Sequence, residues 1–246
     1  MKIEPQRYVA HLDILGFRAL TSRDHLKAWL RLSALEFALG ASTNITIISD
    51  KVDGPIHVPE LIRSIVFSDT IVLYSVADSP KDFHAIFTAV ITLFSKALRD
   101  CVPIRIGISK GVFYTDEHRS MYAGPALIEA YDIGEESQWL GIVLSPSVAE
   151  DAVKQDLRSG GTKMVVEWDL PTKKGIDRAS VANWPVALKD SFFIKPPLTT
   201  QILYLDFEKY YGPFELLDAS VRTKYANTVK FVNEQYALHE KNGKLA

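Results

Sequence analysis

Residues 61–76 read LIRSIVFSDTIVLYSV. Two runs of branched and aromatic residues, Leu61–Phe67 and Ile71–Val76, flank a polar pair, Ser68-Asp69. That pattern predicts a β-hairpin with Asp69 in its turn. Upstream, Tyr8–Asp13 (YVAHLD) reads as a short buried strand that ends on a carboxylate. Between it and the hairpin, Leu26, Leu30, Leu32, Leu35 and Phe37 recur at helical spacing, which predicts a helix over Asp24–Leu39. Residues 40–60 mix Gly, Ser, Asn, Asp and Pro around a short apolar run and predict a loop or small excursion. Downstream, Pro80 opens a helix to Arg99 whose apolar face is Phe83, Ile86, Phe87, Val90, Phe94 and Leu98. In Pro103–Ser109 the residues Ile104, Ile106 and Ile108 share one face of a strand.

The order is therefore β-α-β-β-α-β, followed by a helix over 124–138, a strand over 141–145 and a helix over 146–157. That is the split βαβ plan: an α+β fold in which helices cover one face of an antiparallel sheet. Farther on, Lys163–Trp168 and Gln201–Phe207 predict strands, and Phe214–His239 predicts a long helix ending in a polar tail. No internal repeat, low-complexity segment or linker interrupts the 246 residues. The chain reads as one domain over 1–246, with a core at about 7–148 and a C-terminal helical elaboration over 149–246.

Composition narrows the function. Apolar residues make up 47% of the chain, enough for a sizeable core. A net charge of −2 without a basic cluster argues against a general nucleic-acid binder. Cys101 is the only cysteine, which excludes an internal disulfide and a cysteine-rich zinc site; it reads as a small buried hydrophobe. No apolar run reaches the roughly 20 residues needed to span a bilayer. The start, MKIEPQRYVA, has an acidic residue and a proline where a signal peptide needs an apolar core, so a cytoplasmic protein is expected.

The chemistry rests on two carboxylates. Asp13 ends the first strand and Asp69 lies in the hairpin turn; neighbouring strands in this plan bring both to one sheet end. Two Mg²⁺ or Mn²⁺ ions need hard oxygen ligands, commonly one or two carboxylates plus substrate phosphates. Such ions lower the pKa of an attacking hydroxyl and neutralise charge developing on phosphate. Leu15, Gly16 and Phe17 follow at a strand-to-helix turn whose amides suit a triphosphate. Gly16 would let the backbone come close to it. The bland alternative makes Asp13 a helix cap and Asp69 an ordinary turn residue.

Four stretches together resemble the class III nucleotidyl cyclases. HLDILGF (11–17) resembles their Asp-Ile-x-Gly-Phe strand, FSDTIVLY (67–74) their Asp hairpin, and IRIGISKGVF (104–113) their Arg-x-Gly-Ile-x-x-Gly strand. Gly124-Pro-Ala-Leu-Ile-Glu-Ala stands where that family begins its dimer-site helix. The resemblance covers about residues 7–148. It implies a ferredoxin-like split βαβ catalytic domain working as a homodimer with sites at the interface. It also implies two divalent cations, Mn²⁺ or Mg²⁺, bound by Asp13, Asp69 and the Ile14 backbone carbonyl.

The departures set the substrate expectation. Purine cyclases carry Asn and Arg on the dimer-site helix; here those places hold Ile128 and Asp132, which supply neither the hydrogen bond nor the charge. The purine-reading polar pair becomes Ile65 and Met121, and a site that has lost such partners loses purine selectivity. Arg63 shares a strand face with Ile65, Phe67 and Asp69 and could reach a smaller base, or could equally be a solvated surface arginine. This combination resembles the bacterial pyrimidine cyclases of antiphage defence, whose C-terminal helix TKYANTVKFVNEQY (223–236) also resembles. The resemblance implies UTP or CTP as substrate, with UTP favoured. It implies cyclic UMP or cyclic CMP as product and a separate effector protein activated by it. The alternatives are a catalytically degenerate domain that binds a nucleotide and regulates a partner, and a purine cyclase with divergent base contacts. His11 reads as a packed histidine, and Lys195 as a further candidate for the triphosphate.

Overall fold

The computed structural model describes residues 4–159, 161–187 and 197–243, so Lys195 lies outside the described residues. β1 (Gln6–Ile14) is flanked on both sides. Its Tyr8, Ala10, Leu12 and Ile14 turn to the main core, while Val9, His11 and Asp13 alternate to the opposite face. A sharp turn at Gly16 leads into α1 (Phe17–Arg23) and then α2 (His25–Thr43), capped by Asp24. The expected loop over 40–60 holds the end of α2 and a small hairpin of β2 (Thr46–Ile47) and β3 (Ile56–His57). A single turn, α3 (Val58–Leu61), follows. β4 (Ile62–Phe67) and β5 (Thr70–Ser75) then form the predicted hairpin around Ser68-Asp69.

α4 (Pro80–Arg99) starts on a capping box between Ser79 and Asp82 and buries all six predicted apolar residues. β6 (Ile104–Val112) returns beside β1, with Asp13 opposite Arg105. A small ribbon, β7 (Tyr114–Asp116) with β8 (Met121–Ala123), leads into α5 (Pro125–Glu136), β9 (Ile142–Leu144) and α6 (Pro146–Gln155). β10 (Arg158–Ser159) pairs with β11 (Thr162–Lys163), and β12 (Val165–Thr172) with β13 (Gly175–Ala182). Among the described residues, α7 (Trp184–Ala187), α8 (Thr200–Tyr204), α9 (Glu208–Tyr211) and α10 (Ala219–Gly243) follow.

The main sheet runs β12-β13-β9-β6-β1-β5-β4. Its β6-β1-β5-β4 portion is the split βαβ order, so the α+β class and the plan of the core stand. Several expectations change. The sheet is mixed, because β9 pairs parallel to β6. Its second face is not open: α5 lies across it. A Cβ on Gly107 would sit 2.0 Å from the Ala130 carbonyl oxygen and 2.9 Å from the Gly134 nitrogen. Only hydrogen at position 107 allows helix and strand to approach this closely.

The C-terminal part is not purely helical, since β12 and β13 extend the sheet. The predicted strand Gln201–Phe207 is instead mostly α8, because Thr199 caps Ile202 N–H and starts a helix there. The long helix is real but begins at Ala219, after a short 3₁₀ turn over Phe214–Leu216. α10 is held by an aromatic cluster in which Phe231 lies 4.8 Å from both Trp139 and Trp168, ring centre to ring centre. It also bonds the segment just after α5: Leu140 N–H donates to Thr228 Oγ1, and Asn227 Nδ2 donates to the Gln138 carbonyl.

Candidate active site

Strand alternation puts Asp13 on the α5 face of the sheet, next to last in β1. Across the ladder it pairs with Thr70, and Asp69 immediately precedes Thr70 in the hairpin turn. Both carboxylates therefore occupy one end of the central strands. The turn is tight, and Ser68 adopts a left-handed φ of 54°, which is uncommon for a residue with a Cβ. Asp69 is half-buried and has no side-chain hydrogen bond or ion pair among the described residues.

Asp13 is not alone. Arg105, its cross-strand partner on β6 and only 7% exposed, donates from Nε at 3.1 Å and from Nη2 at 2.9 Å, both to Oδ2. The same guanidinium donates from Nη1 to the Glu135 carbonyl at 3.0 Å and from Nη2 to the Glu135 carboxylate at the end of α5. Glu135 in turn pairs with Lys173 in the β12–β13 turn. Lys224 on α10 lies one turn before Thr228, and its charge interacts with Arg105, Glu135, Lys173 and Asp13. A row of alternating charge thus runs from the β12–β13 turn through α5 and β6 to Asp13.

Burial is the largest influence on the Asp13 carboxyl and pushes its pKa up. Arg105 opposes this, while the Asp69 and Glu135 charges add to the rise. For Glu135, burial raises the pKa, but the Lys173 bond and Arg105 outweigh it and the net shift is downward. Burial, then Arg105, lowers the pKa of Lys224. His11 packs edge-on against Tyr131 of α5, with ring centres 5.1 Å apart. Burial and Arg105 bring its pKa down to about 4, so it is neutral at physiological pH.

The donor set suits small hard cations. Both Arg105 bonds fall on Oδ2, which leaves Asp13 Oδ1 open beside an unpaired Asp69. No group of three or more His, Cys, Asp or Glu side chains among the described residues is arranged to hold a metal. Two carboxylates alone fit ions that complete their shell with water and phosphate oxygens. Ile14, expected to add its backbone carbonyl, is buried as the last residue of β1, opposite Ile104.

The expected triphosphate turn is only partly available. Leu15 N–H donates to the Pro103 carbonyl at 2.8 Å, so that amide is withdrawn from any anion. Gly16 and Phe17 are the cap and first residue of α1, where amides have no partner within the helix. Gly16 is glycine for its φ of +75°, and the Tyr211 ring lies 4.0 Å from its would-be Cβ. Arg63 is also committed elsewhere. Its Nη1 donates to the carbonyls of Pro59 at 2.9 Å and Ile62 at 3.2 Å, at the β4 end remote from Asp69.

Ile65 is half-buried against the small cluster of Val9, Val72, Tyr74 and Phe113, which Tyr122 also contacts. Met121 is exposed beside Tyr122 on β8. Of the two expected base positions, Ile65 packs on this cluster, while Met121 is the exposed neighbour of Tyr122, which does. Ile128 and Asp132 both lie exposed on α5. Asp132 lines a groove of about 940 Å³ between α5, α6 and β12–β13, and that lining includes neither Asp13 nor Asp69.

Sequence reasoning missed Arg105, Glu135, Lys173 and Lys224. Arg105 carried a usable signal, since an arginine inside the apolar strand 104–108 needs a buried anion. Glu135, Lys173 and Lys224 gave none, because only the fold brings them together.

No helix among the described residues is long and apolar enough to cross a membrane. No protein-family model and no curated protein matches the chain. Among solved structures, it is similar to the catalytic core of a rhodopsin-guanylyl cyclase with converted specificity, in complex with ATPαS. That match has 15% identity, 73% of this chain, 95% of the other and a TM-score of 0.47. It is also similar to an adenylate/guanylate cyclase/hydrolase from Silicibacter pomeroyi, at 14% identity, 74% of this chain, 98% of the other and a TM-score of 0.44. A third similarity is to a class III adenylyl cyclase-like ATP-binding protein from Pseudomonas aeruginosa. There the identity is 13% and the TM-score 0.45, over 97% of this chain and 44% of the other.

Proposed function

We propose that this chain is a nucleotidyl cyclase, acting on a pyrimidine nucleoside triphosphate, UTP ahead of CTP. The observation that carries the reading is the convergence of Asp13 and Asp69 at one end of a β6-β1-β5-β4 split βαβ sheet. The four resembling motifs lie on these strands and on α5. In the reaction the ribose 3′-oxygen attacks the α-phosphorus, and pyrophosphate leaves as the 3′,5′-cyclic monophosphate forms. Bound Mn²⁺ or Mg²⁺ would supply charge neutralisation and activation of the hydroxyl. Asp13, through Oδ1, and Asp69 would hold it; the Gly16 and Phe17 amides would meet phosphate oxygens.

The pyrimidine preference rests on Ile65 and Met121, which offer no polar side-chain group to a purine edge, beside an aromatic wall of Tyr74 and Tyr122. A purine reader that has lost its hydrogen-bonding partners forfeits much of its selectivity. The product would act as a second messenger in antiphage defence by activating a separate effector, and the catalyst would be a homodimer in the cytoplasm.

A second reading, a nucleotide-binding regulatory module without turnover, is favoured by one observation. Ile128 and Asp132 are exposed on α5 and offer neither an amide nor a positive charge to a transition state. Incubation with Mn²⁺ and all four ribonucleoside triphosphates in competition, with products resolved by mass spectrometry, separates the readings. Cyclic UMP or cyclic CMP should dominate. Cyclic AMP as the main product would overturn the pyrimidine assignment, and nucleotide binding without any cyclic product would establish the module. Light scattering at assay concentration should show a dimer; an active monomer would refute the shared-site assembly.

A further inference from the structure

The row of charges leading away from Asp13 has a property that a simple scaffold lacks: its members alternate in sign. Lys173 holds Glu135, Glu135 holds Arg105 through carbonyl and carboxylate, and Arg105 holds Asp13 through one oxygen only. Arg105 is buried, so its charge is poorly screened, and it stands directly against the carboxylate that would receive a cation. Left to itself, a guanidinium prefers to grip both oxygens of a carboxylate side-on. Here Glu135 takes part of the fork, and Asp13 Oδ1 stays open.

We propose that Glu135 is a positioning residue that draws Arg105 off Asp13 and thereby sets the cation affinity of the site. Lys173, on the β12–β13 turn, opposes it by competing for the same carboxylate. The C-terminal strand pair is therefore wired into the metal site without touching it. This inference rests on the reading of Asp13 as a cation ligand.

The test is a Mn²⁺ titration of the full chain without nucleotide, followed by electron paramagnetic resonance of the free ion. Removing neighbouring members of the row should move affinity in opposite directions. Glu135→Gln leaves Arg105 its full charge and both Asp13 oxygens, and should weaken Mn²⁺ binding by roughly fivefold or more. Glu135→Asp should restore part of it. Lys173→Gln frees Glu135 to pull harder on Arg105 and should tighten Mn²⁺ binding by about twofold, a small effect because Lys173 is exposed and screened.

Lys173→Gln removes an exposed charge on a turn and carries little risk to folding. Structural damage would weaken binding in every variant, so the opposite signs identify the relay. Unchanged affinity in Glu135→Gln, or weakening in both variants, overturns the proposal while wild-type binding abolished by Asp13→Asn keeps the cation reading. A wild-type chain that binds no Mn²⁺ overturns both.

Discussion

Replacing Asp13 and Asp69 one at a time by alanine should remove the same activity at different structural cost. Asp69 is half-buried in a turn and bonded to no side chain, so its loss leaves no partner stranded; the expected change in stability is within about 0.5 kcal/mol. Asp13 shares Arg105, which is 7% exposed. Breaking a buried pair by removing one partner costs about 3–5 kcal/mol when the other charge is left alone. Two features reduce that figure. Glu135 still accepts from the Arg105 guanidinium through both its carbonyl and its carboxylate. The raised pKa of Asp13 shows that burial already opposes its charge, so part of the pair's benefit is cancelled in the native protein. The net cost for Asp13→Ala should be about 1–2 kcal/mol. In a chain of this size that corresponds to a fall in melting temperature of about 2–8 °C. Differential scanning calorimetry beside the cyclisation assay measures both quantities. Equal destabilisation by the two variants, or near-normal turnover in either, would refute the reasoning.

Two further outcomes follow from packing. Gly107→Ala should cost 3 kcal/mol or more in urea unfolding, roughly the top of the usual overpacking range, because its Cβ would meet backbone at 2.0 Å. Gly111→Ala, whose nearest contact is an ordinary 3.6 Å, should cost far less; similar losses at both sites would disprove the close-approach argument. His84 on α4 is 4% exposed, and burial lowers its pKa below the usual 6.5. The unfolded chain then takes up that proton at higher pH than the native one, so this contribution is complete above about pH 6.5 and fades as pH falls. His84→Leu should flatten the acid limb of stability below that pH, and an unchanged limb would count against the assignment.

The core was legible because each of its elements carries an unambiguous period. α4 has one apolar face over 20 residues, and the 61–76 hairpin brackets a two-residue turn. α2 shows the limit of the method. Of the residues whose spacing predicts this helix, Leu26, Leu30 and Phe37 are exposed, and Ala28, Leu35, Ala38 and Leu39 are buried. The helix is apolar on more than one side, so its period says that it is a helix without saying which side faces the core. The strand expected over Gln201–Phe207 failed for a related reason. Ile202, Leu203 and Tyr204 favour strands, but one capping hydroxyl at Thr199 and burial of Leu203 and Tyr204 decide for a helix. At the site, Asp13 and Asp69 were visible because each ends a short apolar run. Arg63 was visible only as a face assignment, and alternation cannot foresee that its guanidinium would turn back onto the carbonyls of Pro59 and Ile62.

The charge row bears on how two carboxylates can share one end of the sheet. Two like charges at one sheet end repel, and the Asp69 charge adds to the rise in the Asp13 pKa. Arg105 offsets that repulsion, but an arginine placed to neutralise Asp13 completely would also compete with the cation proposed for the site. Dividing the guanidinium between Asp13 and Glu135 reconciles the two: Arg105 opposes the rise in the Asp13 pKa, and both of its bonds to that carboxylate fall on one oxygen. The geometry depends on α5 lying directly on β6, since Glu135 reaches Arg105 from the last turn of that helix. Gly107 and Gly134 make that approach possible. Two residues with no side chain and no chemistry of their own thus help determine the electrostatics of the site.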